Sequence, residues 1–207
     1  MLVFKYEKKD GAEYVSHLDM LRHINKIMRR AEIKISFSKG FNPHMHIFMS
    51  APIAVGIQSE SEYCFVDCEE DAELFKQKFN EKCFSGIRAT EAVNVPKKVN
   101  LQGLIDRATY KISHVNHFDV GQVLDSAEFF ITDKKGARKD VRSKIYDLGF
   151  DGDYLVATLG FGNNALRPDL FLNELISLYG GKSIQTVKTR MFTGETDFDD
   201  YLKNLKA

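Results

Sequence analysis

His44 and His46 stand one residue apart in FSKGFNPHMHIFMSAPIAVG (37–56), beside the turn formers Gly40, Asn42 and Pro43. On a strand they would share one face as i and i+2. With His17 or Asp19 they would offer nitrogen and oxygen ligands to a metal. No second tight ligand pair accompanies them, and Cys64 and Cys68 lie on another segment, so the spacing argues for no metal, with His44 and His46 as the candidates. Tyr14, His17 and His44 have a second use. They suit acid–base work on an RNA 2′-hydroxyl and its leaving group, the chemistry of a metal-independent endoribonuclease, for which an imidazole of pKa ~6.5 is suited. Against that use, His17 falls in line with Leu21, Ile24 and Met28, where a histidine ordinarily packs or caps, and Asp19 is placed to complement a helix dipole. A Walker loop, a dinucleotide fingerprint, a serine elbow and an iron–sulfur cysteine cluster are all missing, so the sequence calls for no cofactor.

A second constellation is electrostatic. The chain has zero formal net charge, yet residues 1–50 carry nine Lys/Arg against five Asp/Glu. Arg22, Lys26, Arg29 and Arg30 recur at helical spacing opposite an apolar stripe, and Arg22 to His46 holds six basic residues and one acid. Lys34 and Lys39 extend the charge into a loop where Phe37, Phe41 and Phe48 alternate with it. Basic residues interleaved with aromatics suit phosphate contact and base stacking; a plain solvated helix face is the other reading. The loop itself has a shape rationale. Gly40 allows positive φ, Asn42 before Pro43 favours an extended-then-turn path, and amides near Ser38 to Phe41 could form an anion nest. The expected nucleic-acid surface is therefore Arg22, Lys26, Arg29, Arg30, Ser38, Lys39, Gly40, Phe41, Asn42 and His44; a structured hairpin connection is the bland alternative.

The elements that must hold these residues follow from periodicity. LVFKYEKK alternates as a half-buried strand does. Ser16 is placed to cap a helix whose apolar face is Met20, Leu21, Ile24, Ile27, Met28 and Ala31. IKISF (33–37), the segment to about Ser50, and SEYCFVDC (61–68) read as strands, followed by a helix over 71–84 and a strand over 87–95. Residues 95–107, with Pro96 and a Lys pair, read as a linker with a short helix. A second round follows: a strand at ATYKISHV, a helix at FDVGQVLDSA, a strand at EFFITDK, and a basic turn KGARK. A hairpin about Asp151-Gly152, a helix from Pro168 to Gly180 and a last strand IQTVKTRMFTG complete it. Twice the order is β-α-β-β-β-α-β. The expected fold class is α+β, with two ferredoxin-like (split β-α-β) halves packed side by side: an N-terminal half over 1–98 and a C-terminal half over 99–207. In GFGNNALRPDLF (160–171), Arg167 at the helix start suits a phosphate or an ordinary cap.

Composition limits the class further. A hydrophobic share of 43% and a charged share of 28% fit an ordinary globular chain. The longest apolar runs fall far short of a membrane span, and the N-terminus lacks a signal-peptide pattern. Three unpatterned cysteines favour reduced thiols and a cytoplasmic location. Oligomeric state is left open.

The run from Tyr14 to Tyr63 resembles the radical-SAM-linked protein family, a bacterial domain of unknown function. The resemblance rests on Tyr14-Val15-Ser16-His17-Leu18-Asp19, Arg22, Arg30-Ala31, Ser38-Lys39-Gly40-Phe41-Asn42-Pro43-His44, Pro52, Gly56, Ser59 and Glu62, and more weakly on Leu166-Arg167-Pro168-Asp169. It departs from the family pattern after His44, where Met45-His46 replaces Pro-Lys. The resemblance implies a radical SAM enzyme as partner, since such proteins occur beside or fused to one, often near RNA-processing genes. The chain holds no CxxxCxxC triad of its own. The resulting expectation is an RNA-binding accessory protein, without catalytic activity of its own, working with a radical SAM enzyme in RNA modification or ribosome-linked RNA metabolism. The alternatives are the endoribonuclease, of an architecture like that of RAMP-type CRISPR nucleases, and a protein-interaction module docking the partner through Glu69 to Glu73.

Overall fold

A computed structural model describes residues 1–205. The first round of elements is β1 (Leu2–Lys8), α1 (His17–Arg30), β2 (Ile47–Met49), β3 (Gln58–Val66), α2 (Ala72–Lys82) and β4 (Ile87–Asn94). The second is α3 (Leu101–Leu104), β5 (Arg107–Ser113), α4 (Gly121–Leu124), β6 (Phe130–Thr132), β7 (Arg138–Asp140), β8 (Ile145–Asp151), β9 (Tyr154–Gly160), α5 (Pro168–Tyr179), β10 (Thr186–Thr193), β11 (Thr196–Asp197) and α6 (Phe198–Asn204). The fold is mixed α+β around one large mixed sheet, ordered β4-β1-β3-β10-β5-β9-β8. β2 pairs antiparallel with the Cys64–Val66 end of β3. β10 runs parallel to the other end of the same edge, through Val187↔Gln58 and Lys188↔Ser59. One edge of β3 is thus shared between β2 and the late strand β10, so strands from early and late in the chain form one continuous sheet.

α1 forms where its sequence says it should. Ser16 Oγ accepts the Asp19 amide, and Met20, Ile24, Ile27 and Met28 are buried against Leu2, Phe4 and Tyr6 of β1 and Phe75 and Phe79 of α2. A second core gathers Tyr63 and Phe65 of β3, the inner residues of β5, β8 and β9, Phe171 and Leu175 of α5, and Phe198 of α6.

The structure departs from the periodicity at four places. IKISF makes only isolated bridges, Ile35↔Cys68 and Phe37↔Met45, because the 38–44 loop interrupts it after one exchange. The helix expected at FDVGQVLDSA is one turn, Gly121–Leu124; Gly121 is a poor helix former. In KGARK, Gly136 makes the turn and Arg138 begins β7, which pairs with β6 as a separate two-stranded sheet. After the last expected strand, Asp197 caps the short helix α6, which lies against β10.

Gly86 closes the β4 end of the first half. Its φ is +87°, and a Cβ there would stand 2.1 Å from the Lys9 carbonyl oxygen. Gly86→Ala is therefore expected to cost about 1–3 kcal/mol from the backbone conformation, plus the clash, read as a lowered thermal midpoint against Gly136→Ala. Gly136 also has positive φ but has open space around it, so equal losses in the two variants would refute the clash.

Candidate nucleic-acid interface and the groove beneath it

All four basic residues of α1, Arg22, Lys26, Arg29 and Arg30, are exposed or partly exposed at the helix surface, with Arg29 and Arg30 in its last turn. Arg22 pairs with Asp19 at 2.7 Å; the other three have no acidic partner among the described residues. At ~100° per residue, Arg22 and Arg29 stand about a quarter-turn round α1 from Leu21, whereas Arg30 is opposite Leu21, on the side where His23 meets Phe84 at 4.9 Å.

The 38–44 loop is a tight projecting hairpin. The Ser38 amide donates to the His44 carbonyl at 2.8 Å, and the His44 amide returns to Ser38 Oγ at 3.0 Å. Gly40 takes φ +136° at its tip. Lys39, Phe41, Asn42 and His44 are exposed, Phe41 completely. A solvated phenyl ring at a loop tip has no folding role to explain it, and such rings are common contact residues.

The expected acid–base set is not brought together. Tyr14 is 70% exposed, His44 sits at the loop, His17 lies at the start of α1, and no hydrogen bond among the described residues links them. The two candidate metal ligands have different surroundings. His46 Nδ1 lies 3.4 Å from Asp67, His44 points to solvent, and no group of three potential ligands occurs among the described residues. The acidic segment is spent locally: Asp71 caps α2 and Glu70 pairs with Lys78 at 2.7 Å. Arg167 pairs with Asp169 of its own helix.

Other residues do converge. Between the start of α1, β2 and residues 98–102 lies a groove of about 480 Å³. His17 and Leu21 line one wall, Ile47 to Met49 another, and Lys98, Asn100 and Gln102 form the rim over buried Val99 and Leu101. Phe48 is 41% exposed, packs on Phe65 and carries Lys98 Nζ 3.6 Å above its ring. Larger depressions of about 930 and 780 Å³ lie beside Gly86 and at His114 to His117, but neither is lined by a residue of α1.

His17 also lines a smaller cavity of about 10 Å³ behind the groove, with Tyr6, Lys8 and Glu62. These are buried charges: Lys8 and Glu62 are each 4% exposed and Lys188 is 0% exposed. Lys188 Nζ pairs with Glu62 Oε1 at 2.7 Å. Lys8 Nζ donates to the Val15 carbonyl at 2.8 Å. Burial lowers the pKa of both lysines, with Glu62 opposing it, and burial raises that of Tyr6. Glu62 was visible in the sequence as part of the family string. Lys8 continues the Leu2, Phe4 and Tyr6 face of β1, whereas nothing local marks Lys188 as buried.

Burial also lowers the pKa of His17, only partly opposed by Glu62. The ring is expected to titrate below ~6.5 in a proton NMR titration. The sign follows: the fold disfavours the imidazolium, so stability is full above ~6.5 and falls as the pH drops from there through the folded pKa. A His17→Gln variant should lose that part of the acid dependence, and an unchanged profile would refute the assignment.

A protein family described as "Uncharacterized protein conserved in bacteria (DUF2344)" matches residues 1–176. The chain belongs to the DUF2344 family. The match spans the whole first half, the groove and the second half as far as α5. A search of curated proteins found no match for this DUF2344 chain. Among solved structures, one described as "Crystal Structure of a Cbf5-Nop10-Gar1 Complex" aligns at TM-score 0.46 and 9% identity, over 94% of this chain and 50% of that one. The chain thus spans about half the length of that relative. The encapsulated DyP-type peroxidase from Mycobacterium smegmatis aligns at TM-score 0.24 and 14% identity, over 100% of this chain and 95% of that one. Both scores lie too low to assign a shared fold. No helix among the described residues is long and apolar enough to cross a membrane.

Proposed function

We propose that this DUF2344 protein is a cytoplasmic RNA-binding accessory protein whose contact surface is the basic face of α1 together with the 38–44 loop. The observation that carries the reading is the coincidence of four basic residues at the surface of one helix with a projecting loop that ends in a wholly solvated Phe41. Charge of this kind draws in a polyanion, and an aromatic without a packing partner suits an unpaired base. Each half is read as one split β-α-β unit. The strand orders β4-β1-β3-β2 and β10-β5-β9-β8, antiparallel within each half, support this, with β6 and β7 as an insertion in the second and a boundary in the 95–105 connection. The resemblance at Tyr14 to Tyr63 adds a radical SAM enzyme as working partner.

The test is direct binding of bulk tRNA and rRNA fragments at low salt, wild type against Arg29→Ala/Arg30→Ala. Binding that weakens in the variant supports the reading; undetectable or unchanged binding removes it. Co-purification with the radical SAM partner after nuclease treatment tests the second half of the proposal.

A further inference from the structure

We propose that the groove between α1, β2 and residues 98–102 seats a single unstacked base of a single-stranded RNA, with the base against Phe48 and its polar edge toward His17. This rests on the RNA-binding reading and names what the same surface would take in.

The groove has the required size, shape and charge. Its volume of about 480 Å³ falls in the range of small-ligand sites and is too narrow for a duplex, whose diameter is set by two paired bases. Phe48 stands half out of the sheet with a ring partly open to solvent. Lys98 covers it now, but a lysine is a long, flexible chain able to exchange a ring for a phosphate. The polar rim is unusual for a surface with so little else to do. Gln102 spends one amide hydrogen on a long contact of 3.5 Å to the Met49 carbonyl. Asn100 uses its oxygen on the Gly103 amide at 3.2 Å. Both keep further donors or acceptors for a base edge.

The second observation lies beneath. Glu62 is buried, pairs with Lys188 through Oε1 at 2.7 Å, and lines the small cavity that His17 shares with the groove. His17 therefore borders both the groove and the buried charges behind it. Outside the groove, Arg22 and Arg29 lie on the flank of α1 nearest to Leu21, so a strand with one base inserted would pass its neighbouring phosphates along them. A free apolar peptide would gain nothing from this charge, and a double helix would have no base to insert.

The experiment uses the whole chain and two probes. The first is a 12-nucleotide single-stranded RNA with one 2-aminopurine, whose emission is quenched on stacking. The second is the set of free nucleoside monophosphates, followed by backbone amide shifts. Variants are Phe48→Ala, and Leu21→Trp to fill the groove, each checked for folding by circular dichroism. The expected result is a rise in emission as the base leaves its stacked neighbours, shifts at residues 47–49 and 98–102, and a loss of about 5- to 150-fold in oligonucleotide affinity for Phe48→Ala. Oligonucleotide binding with unchanged emission, and as tight in both variants as in the wild type, would overturn the base seat while leaving the RNA reading intact. Shifts in the groove from mononucleotides without oligonucleotide binding would keep the seat and sink the RNA reading. Silence from both probes ends both.

Discussion

Glu62→Ala is expected to cost about 3–5 kcal/mol of stability, the loss typical when one member of a buried ion pair is removed. The reason lies in what stays behind. Lys188 is wholly buried, with the Met191 sulfur at 4.0 Å and the Phe161 ring at 4.5 Å near its ammonium besides Glu62. Lys8, on β1, is 4% exposed and holds one carbonyl. Without the carboxylate, two buried ammonium groups lose the counter-charge they share, and Glu13 acts on Lys8. Lys188→Ala should hurt less, because Lys8 would still oppose Glu62. The double change Glu62→Leu/Lys188→Met should recover part of the loss, since an apolar pair in place of a buried ion pair is often neutral, while Lys8 still loses Glu62. The measurement is the urea midpoint, and equal losses in the double and single variants would refute the pairing. The pH dependence gives a second check. Burial lowers both lysine pKa values, so the fold disfavours their charged forms. That cost is full below the folded pKa and fades as pH climbs from there toward ~10.4. The deficit of Glu62→Ala should therefore shrink on going from neutral to alkaline pH, and a flat profile would show that the lysines are not the cause.

This pair also explains which parts of the molecule could be read from the sequence. β1 and α1 announce themselves, because alternation and a 3.6-residue stripe report one buried face each, and both faces are buried against neighbours close in the chain. The junction of the two halves does not. Lys188 occupies a strand whose pattern, TVKTRMFT, looks amphipathic with Lys outward. It is inward only because β10 meets the far end of β3, more than half the chain away in sequence, close to where β3 carries Glu62. A charge buried by a distant partner leaves no local signal. The groove shares this property. Phe48 was legible as an aromatic among basic residues, but Lys98, Asn100 and Gln102 came from a stretch that reads as linker, and their contribution depends on where that stretch crosses β2. In the 37–56 stretch, whose spacing argues for no metal, His44 stands exposed at the end of the loop and His46 lies beside Asp67.

Removing the four basic side chains of α1 together, Arg22, Lys26, Arg29 and Arg30 to Ala, is expected to weaken single-stranded RNA binding by a factor on the order of 100 at ~0.1 M salt. Each phosphate neutralised on a single strand contributes about 0.7 to the slope of log affinity against log salt, so the removal of four such charges should flatten that slope by about 3. The fold should tolerate the change. All four lie at the helix surface, the Arg22–Asp19 pair is a surface pair worth ~0–1 kcal/mol, and Arg29 and Arg30 in the last turn complement the helix dipole by a few tenths each, up to about 1 kcal/mol. Binding loss can therefore be told from unfolding by a thermal midpoint measured alongside. The geometry adds a finer expectation. Of the four, Arg22 and Arg29 lie nearest round α1 to Leu21 of the groove wall and Arg30 farthest, so the pair Arg22→Ala/Arg29→Ala should flatten the salt slope more than Lys26→Ala/Arg30→Ala, although each removes the same charge. Equal effects would mean that the helix acts as diffuse charge without a fixed strand path. An unchanged slope in the fourfold variant would mean that the strand, if bound, runs elsewhere.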